Sequence, residues 1–439
     1  FSDPSTGPRQ RSHAMNVALH NLGCSKNQID GERMLQWLCE AGHRVVDDFA
    51  RAELILVNTC AFIQEAKEEA IAAILQMASY KRLGRCRTLA VCGCFSQRYA
   101  GEAAAELPEV DWWFDLHGWQ REFARLFGYR VPGSGKRRLT VPGPSQYLKI
   151  SEGCSRRCSF CAIPAIRGRF RSREISDVVR EARWLWRQGA RECILVSQDS
   201  SSYGRDKGTD LVRLVEELLR RTSFPWLRLM YLHPANLPDA LLRLMAAEER
   251  LCSYIDVPFQ HASDGVLRRM RRRPLSRGMY ALVEKIRRLV PDCAIRTSLI
   301  VGFPGETTRD MRELVRFLEW ARLEKVGVFA YSPEEGTPSF AYRPRVRRDV
   351  AARRREMVLE VQRDISRDVG RQRVGKRVRV LLEGAAKAHG YRYRGRTQWD
   401  APEVDGSVLV RSARTTRRAL VTARVEDADD YDLYAALLD

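Results

Sequence analysis

Three cysteines fall within one eight-residue run, Cys154-Ser155-Arg156-Arg157-Cys158-Ser159-Phe160-Cys161. Thiolates spaced this closely suit a soft metal. A closed structural zinc site takes four ligands, and no histidine or fourth cysteine lies nearby in the sequence. Three thiolates on a 4Fe-4S cluster leave one iron without a protein ligand, open to a substrate or cofactor. A zinc loop or a set of buried free thiols is the alternative that spacing alone leaves standing.

A second triad is scattered. Cys24 follows the apolar run 16–22, Cys60 follows 54–58, and Cys94 follows 88–92. Each cysteine thus ends an expected parallel strand. In an open α/β sheet those ends line one edge, so residues distant in sequence converge there. Buried thiols at strand ends are the competing interpretation. Cys92, two residues before Cys94, competes for the third position. Cys39, Cys86, Cys193, Cys252 and Cys293 read as small buried residues on a helix face or in and beside strands. Twelve cysteines without an export signal argue against a disulfide framework.

Regular elements must position these thiols. From 16 to about 127, apolar runs alternate with amphipathic stretches at 30–40, 64–80 and 96–106, predicting a small parallel α/β domain. The Gly-, Pro- and Arg-containing stretch 131–145 suits a linker. Strands are expected at 147–151, 193–197, 227–232, 253–257, 293–301 and 326–330. Six such β/α units make a partial or complete β/α barrel, with the Cys154 to Cys161 loop at the carboxyl end of its first strand, where barrel enzymes place their chemistry. Phe160 inside that loop, Gln198, Gln260 and Gly302 at later strand ends are candidate cofactor contacts; each could equally be a turn or core residue. An Arg-rich helix at 347–367 precedes short alternating strands at 377–383, 391–396, 407–411 and 420–425, a small all-β, barrel-like module. The expected organisation is a disordered extension (1–14), an N-terminal domain (15–130), a linker (131–145), a barrel core (146–370) and a β module (371–439).

The net charge of +20 is compatible with a phosphate-rich partner. Of the 75 basic residues, however, 65 are Arg and 10 Lys, a skew that coding bias also produces. The runs Arg268 to Arg273 and Arg343 to Arg355 are either solvated helix faces or RNA contacts. From 371 onward 14 basic residues face 10 acidic ones, and every charge from Glu426 is acidic. That final segment suits a basic protein partner, or is a solvated tail. No run approaches the ~20 apolar residues of a membrane span, and no secretory signal is evident, so a cytoplasmic protein without membrane contact is expected.

Leu22-Gly23-Cys24-Ser25-Lys26-Asn27, Asn58-Thr59-Cys60, Gly93-Cys94 and the central run together resemble the methylthiotransferase family of radical S-adenosylmethionine enzymes, across nearly the whole chain. The resemblance implies two 4Fe-4S clusters: a radical cluster on Cys154, Cys158 and Cys161 and an auxiliary one on Cys24, Cys60 and Cys94. It also implies S-adenosylmethionine as cofactor, with Phe160 near the adenine, and a C-terminal TRAM domain. One branch of the family modifies tRNA adenosine and usually carries Cys-Gln-Met-Asn at the first cysteine. Cys24-Ser25-Lys26-Asn27, Gln260-His261-Ala262-Ser263-Asp264 and Asp400-Ala401-Pro402-Glu403-Val404-Asp405-Gly406 look like the other branch, which acts on ribosomal protein uS12.

The implied reaction is methylthiolation of the β-carbon of an aspartate, with a deoxyadenosyl radical abstracting hydrogen and S-adenosylmethionine also donating the methyl group. A monomer that takes electrons from a flavodoxin or ferredoxin follows by the same resemblance. A tRNA methylthiotransferase is the nearest alternative. An iron-sulfur electron carrier with a nucleic-acid module and a zinc-stabilised RNA-binding protein are alternatives of other classes. Departures from the family pattern are Cys92, the bulky Trp112-Trp113-Phe114-Asp115, and the missing glycine around Thr415 to Arg418.

Overall fold

The computed structural model describes residues 14–127 and 135–438, so the expected extension lies outside it up to residue 13, as does 131–134 of the expected linker. Two compact units divide the chain, residues 1–140 and 141–439.

The first unit is an all-parallel sheet in the order β2-β1-β3-β4-β5. Its strands are β1 (Asn16–Asn21), β2 (Arg44–Val45), β3 (Leu54–Thr59), β4 (Thr88–Gly93) and β5 (Trp112–Trp113). Its helices are α1 (Ser25–Glu40), α2 (Gln64–Ala78), α3 (Tyr80–Leu83), α4 (Cys94–Glu106) and α5 (Trp119–Phe127). Every residue of β3 is buried, as expected of a central parallel strand covered on both faces. The bulky residues at 112–114 have a packing reason. Phe114 meets Phe123 of α5 edge-on at 4.9 Å, and Trp112 meets Phe127 at 5.9 Å, so large rings fill the space under a helix that the sequence pattern did not single out. Cys92 is fully buried in this same core, its Sγ 3.6 Å from the Val57 carbonyl. Burial pushes its thiol far up, and its side chain forms part of this core.

Part of the expected linker is firmly packed. Arg137 is buried against Glu32 of α1 at 3.2 Å, and the Thr140 hydroxyl donates to the same carboxylate at 3.0 Å.

The second unit begins with β6 (Ser145–Lys149), β7 (Ser151–Glu152) and β8 (Arg171–Ser172), followed by β9 (Glu192–Val196), β10 (Trp226–Leu229), β11 (Tyr254–Asp256), β12 (Ala294–Val301) and β13 (Lys325–Ala330). Interleaved are α6 (Ile163–Arg167), α7 (Ile175–Arg187), α8 (Leu211–Arg221), α9 (Asp239–Ala247), α10 (Asp264–Arg269), α11 (Ser276–Leu289), α12 (Thr308–Ala321) and α13 (Arg348–Arg371). Parallel strands β6, β9 and β10 form one three-stranded sheet and β11, β12 and β13 another. The Leu232 amide donates to the Asp256 carbonyl at 2.8 Å across the seam. Six parallel strands in chain order, with helices outside, make the expected partial β/α barrel.

A closed five-stranded barrel follows, in the order β14-β15-β16-β18-β17: β14 (Arg377–Ala385), β15 (Tyr393–Arg396), β16 (Val408–Arg411), β17 (Leu420–Ala428) and β18 (Leu433–Leu437). The final segment is a barrel strand rather than a free tail. Leu433 and Ala435 point into the barrel core, a period-two pattern, and the acids around them are used internally. Asp429 accepts from the amides of Tyr431 and Asp432 and from the Tyr434 hydroxyl. Asp432 accepts from the Ser407 amide, Asp430 pairs with Arg367, and Glu426 pairs with Arg411.

This module is sealed against the amino-terminal ends of the partial-barrel strands. Glu192, the first residue of β9, is buried between Arg228 (2.7 Å) and Arg396 (2.6 Å). Asp400 pairs with Lys325, the first residue of β13, at 2.7 Å, and Asp405 accepts from the Tyr254 hydroxyl, at the start of β11, at 2.6 Å. The cysteine loop lies at the other ends of the strands. Among the described residues no helix is long and apolar enough to cross a membrane.

Candidate metal centres

In the first unit the register aligns the ends of three strands: Asn21 sits opposite Asn58, Asn58 opposite Cys92, and Thr59 opposite Gly93. Cys60 and Cys94 are therefore each one residue past a paired position, and Cys24 caps α1 just beyond β1. Two glycines make the convergence possible. A Cβ on Gly23 (φ +87°) would meet the Cys60 Cβ at 2.8 Å, and one on Gly93 (φ +94°) would meet the Thr59 carbonyl at 2.4 Å, so only glycine allows these approaches.

Asn27 ties the edge together. Its amide nitrogen donates to the Thr59 carbonyl at 2.8 Å and the Leu22 carbonyl at 3.3 Å, and its oxygen lies 3.6 Å from the Cys94 Sγ. Asn58 returns a bond to the Asn27 carbonyl at 2.7 Å. Cys94 is buried, Cys60 half-buried and Cys24 exposed, a graded opening from sheet to surface.

In the second unit Cys154 follows β7, and the loop carrying Cys158 and Cys161 is fastened from several sides. The Cys154 amide donates to the Gly168 carbonyl at 3.1 Å. Ser159 donates through its amide to the Met270 carbonyl (3.0 Å) and through its hydroxyl to the Arg269 carbonyl (2.7 Å). Arg156 pairs with buried Asp199 at 2.7 Å. Burial first, and then the Cys158 thiolate beside it, push the Cys161 thiol up to about 12; burial raises Cys154 as well.

Among the described residues no three His, Cys, Asp or Glu side chains close on the position of a single metal ion. The fit to a cluster therefore rests on donor type and on placement at strand ends. An all-thiol donor set of three suits iron-sulfur chemistry.

Glu152, a residue the sequence alone did not single out, organises the floor of the second site. It accepts from Lys149 (2.7 Å), Arg167 (3.0 Å) and the Gln198 amide (3.1 Å). Against the opposing effect of burial, Lys149 and Arg167 hold its carboxyl well below the usual range. Gln198 is thereby left with a buried side-chain oxygen that has no partner among the described residues, an acceptor suited to a ligand's N–H. Gln260 has φ +75° just past β11, a conformation costly for a non-glycine and typical of functional sites. Its carbonyl accepts from the Ile300 amide at 2.7 Å. Gly302 directly follows β12, its amide donating to both oxygens of buried Glu306 at 2.9 Å, and Glu306 in turn meets Arg354 at 2.7 Å and His261 at 3.4 Å. Phe160 packs at the edge of a cluster of Val266, Met270 and Phe303.

Family models match the chain in three places: the radical SAM superfamily over residues 148–318, the uncharacterized protein family UPF0004 over 16–115, and the TRAM domain over 374–438. Relatives named ribosomal protein uS12 methylthiotransferase RimO include those of Anaeromyxobacter sp. (strain K), 43% identical over 96% of this chain and 92% of its own, and of Desulforudis audaxviator, 43% identical over 98% of each. Among solved structures, the radical S-adenosylmethionine methyltransferase TsrM from Kitasatospora setae is similar with a TM-score of 0.57 at 17% identity, covering 86% of this chain and 82% of that one. The cobalamin-dependent radical enzyme OxsB is similar with a TM-score of 0.52 at 13% identity, covering 79% and 56%. At such identities the likeness concerns the fold alone. The near-full-length relatives carry the assignment: this chain belongs to the RimO family of radical S-adenosylmethionine methylthiotransferases.

Proposed function

We propose that the chain inserts a methylthio group at the β-carbon of an aspartate of ribosomal protein uS12, using S-adenosylmethionine as both methyl donor and radical source. The observations that support this reading are three cysteines just past the ends of parallel strands in the first unit and three on one loop after β6 and β7 in the second. The relatives' names supply the substrate. The target carbon bears unactivated C–H bonds, which no side-chain base removes at neutral pH.

Cys154, Cys158 and Cys161 would hold one 4Fe-4S cluster and Cys24, Cys60 and Cys94 a second. Bound there, the two clusters supply the electron for reductive cleavage of S-adenosylmethionine and a site for the transferred sulfur. The protein's own part is orientation. Glu152 fixes the amide of Gln198 so that its free oxygen can accept from the cofactor's amino group. Phe160 offers an apolar face to the adenine, and Gln260 and Gly302 contribute backbone at neighbouring strand ends. Electrons would come from a flavodoxin or ferredoxin.

Mass measurement of uS12 and of tRNA from cells lacking the gene tests the substrate. The expected result is loss of the methylthio increment on uS12 with tRNA adenosine marks unchanged. Loss of a tRNA mark with uS12 unaltered would overturn the assignment.

A further inference from the structure

The basic run Arg268 to Arg273 does not behave as one surface. Arg268 is exposed and pairs with Asp264 at 3.2 Å, whereas Arg269 donates to the Pro304 carbonyl at 2.8 Å. Arg271 takes φ +55°, and this turn directs Arg272 inward, where only 5% of the residue stays exposed. Its Nη1 donates to the Cys158 Sγ at 3.6 Å, and its Nη2 donates to the Pro258 carbonyl. Its Nε is buried without a partner among the described residues. The turn that carries it also accepts both bonds from Ser159, so the cysteine loop and Arg272 are built as one piece.

A guanidinium stays charged at any working pH and offers several donors in a rigid plane. Two consequences follow when such a group sits, shielded from water, against a sulfur that ligates iron. It fixes the orientation of that sulfur, and it favours whichever cluster state carries more negative charge. We infer that Arg272 is a positioning residue of the radical centre, fixing the Cys158 sulfur and raising the reduction potential of the cluster held there. The inference rests on the proposed role of Cys158 as a ligand. Reduction adds one electron from an external one-electron donor, and Arg272 stabilises the added charge without exchanging a proton.

The test is a potentiometric titration of the anaerobically reconstituted full chain, followed by electron paramagnetic resonance. In Arg272→Gln the midpoint of the barrel centre should move negative by about 59 mV, a tenfold fall in the one-electron reduction constant, while the centre on the N-terminal cysteines stays where it was. Arg272→Lys, which keeps a cation but loses the planar fork, should fall between the two; it carries the comparison alone if the Gln variant loses native circular dichroism. An unchanged midpoint, or an equal shift at both centres, overturns the inference. Cys158→Ala is the separate control on the underlying reading: survival of the barrel-centre signal in that variant would refute the ligand assignment itself, not the role of Arg272.

Discussion

The two cysteine triads are built in opposite ways. Cys154, Cys158 and Cys161 share one loop, so their spacing is local, but what surrounds them comes from afar: Glu152 and Gln198 below, Ser159 anchored on the 269–270 turn, and Arg272 on the sulfur. Cys24, Cys60 and Cys94 come from three strands, and their spacing exists only while the sheet keeps its register. Local spacing is thus robust to small losses of stability and sensitive to its electrostatic setting. Convergent spacing is sensitive to backbone fit.

That contrast can be broken most severely at the loop. Cys158→Ala should abolish both S-adenosylmethionine cleavage and product formation, measured by deoxyadenosine release and substrate mass, and should remove roughly half the iron, the share of one of two 4Fe-4S clusters. A smaller but still large effect is expected at Glu192, buried between Arg228 and Arg396 at the end of the partial barrel away from the thiols. Removing one partner of a buried ion pair costs about 3–5 kcal/mol, so Glu192→Gln should lower the denaturant midpoint of the second unit.

The pH dependence of that unit has a definite sign. Despite burial, Arg228 and Arg396 hold Glu192 down from 4.5 to about 2. A carboxyl with a depressed folded pKa contributes its full stability above the unfolded value, and the contribution is lost as pH falls through the folded one. Stability carried by Glu192 should therefore decline between pH 4.5 and 2, and the Gln variant should show a flatter acid limb in denaturation curves.

Backbone fit is tested at Gly93. A Cβ there would lie 2.4 Å from the Thr59 carbonyl at φ +94°, so Gly93→Ala should cost about 1–3 kcal/mol and deplete iron from the N-terminal site while deoxyadenosine release persists. The mildest change is Gln198→Leu, which removes the free acceptor and should weaken S-adenosylmethionine binding about tenfold, ~1.4 kcal/mol, by calorimetry. An unchanged affinity would remove Gln198 from the cofactor site.

Sequence patterning made the six parallel strands of the partial barrel legible, because buried parallel strands such as Glu192–Val196 are continuous apolar runs. Convergence of Cys24, Cys60 and Cys94 on one edge was also legible, since each ends such a run. Strand β18 was not, because the acids at 429–432 mask the alternation of Leu433, Ala435 and Leu437 and only their internal hydrogen bonds reveal them as turn residues. Nor was Arg272 separable from its neighbours. In a run of arginines only the positive φ of Arg271 decides which one faces inward, and side-chain type carries no record of that. Glu152 and Asp199 likewise look like ordinary surface acids until their partners Arg167 and Arg156 are brought beside them.

The division of labour between the triads is the central claim, and the variant in which Cys24, Cys60 and Cys94 are all replaced by alanine tests it most directly. Incubated with S-adenosylmethionine, a reductant and uS12, it should still release deoxyadenosine with about half the iron, the share of the remaining cluster, while intact-mass measurement shows uS12 without a methylthio group. Full methylthiolation of uS12 by that variant would contradict the account.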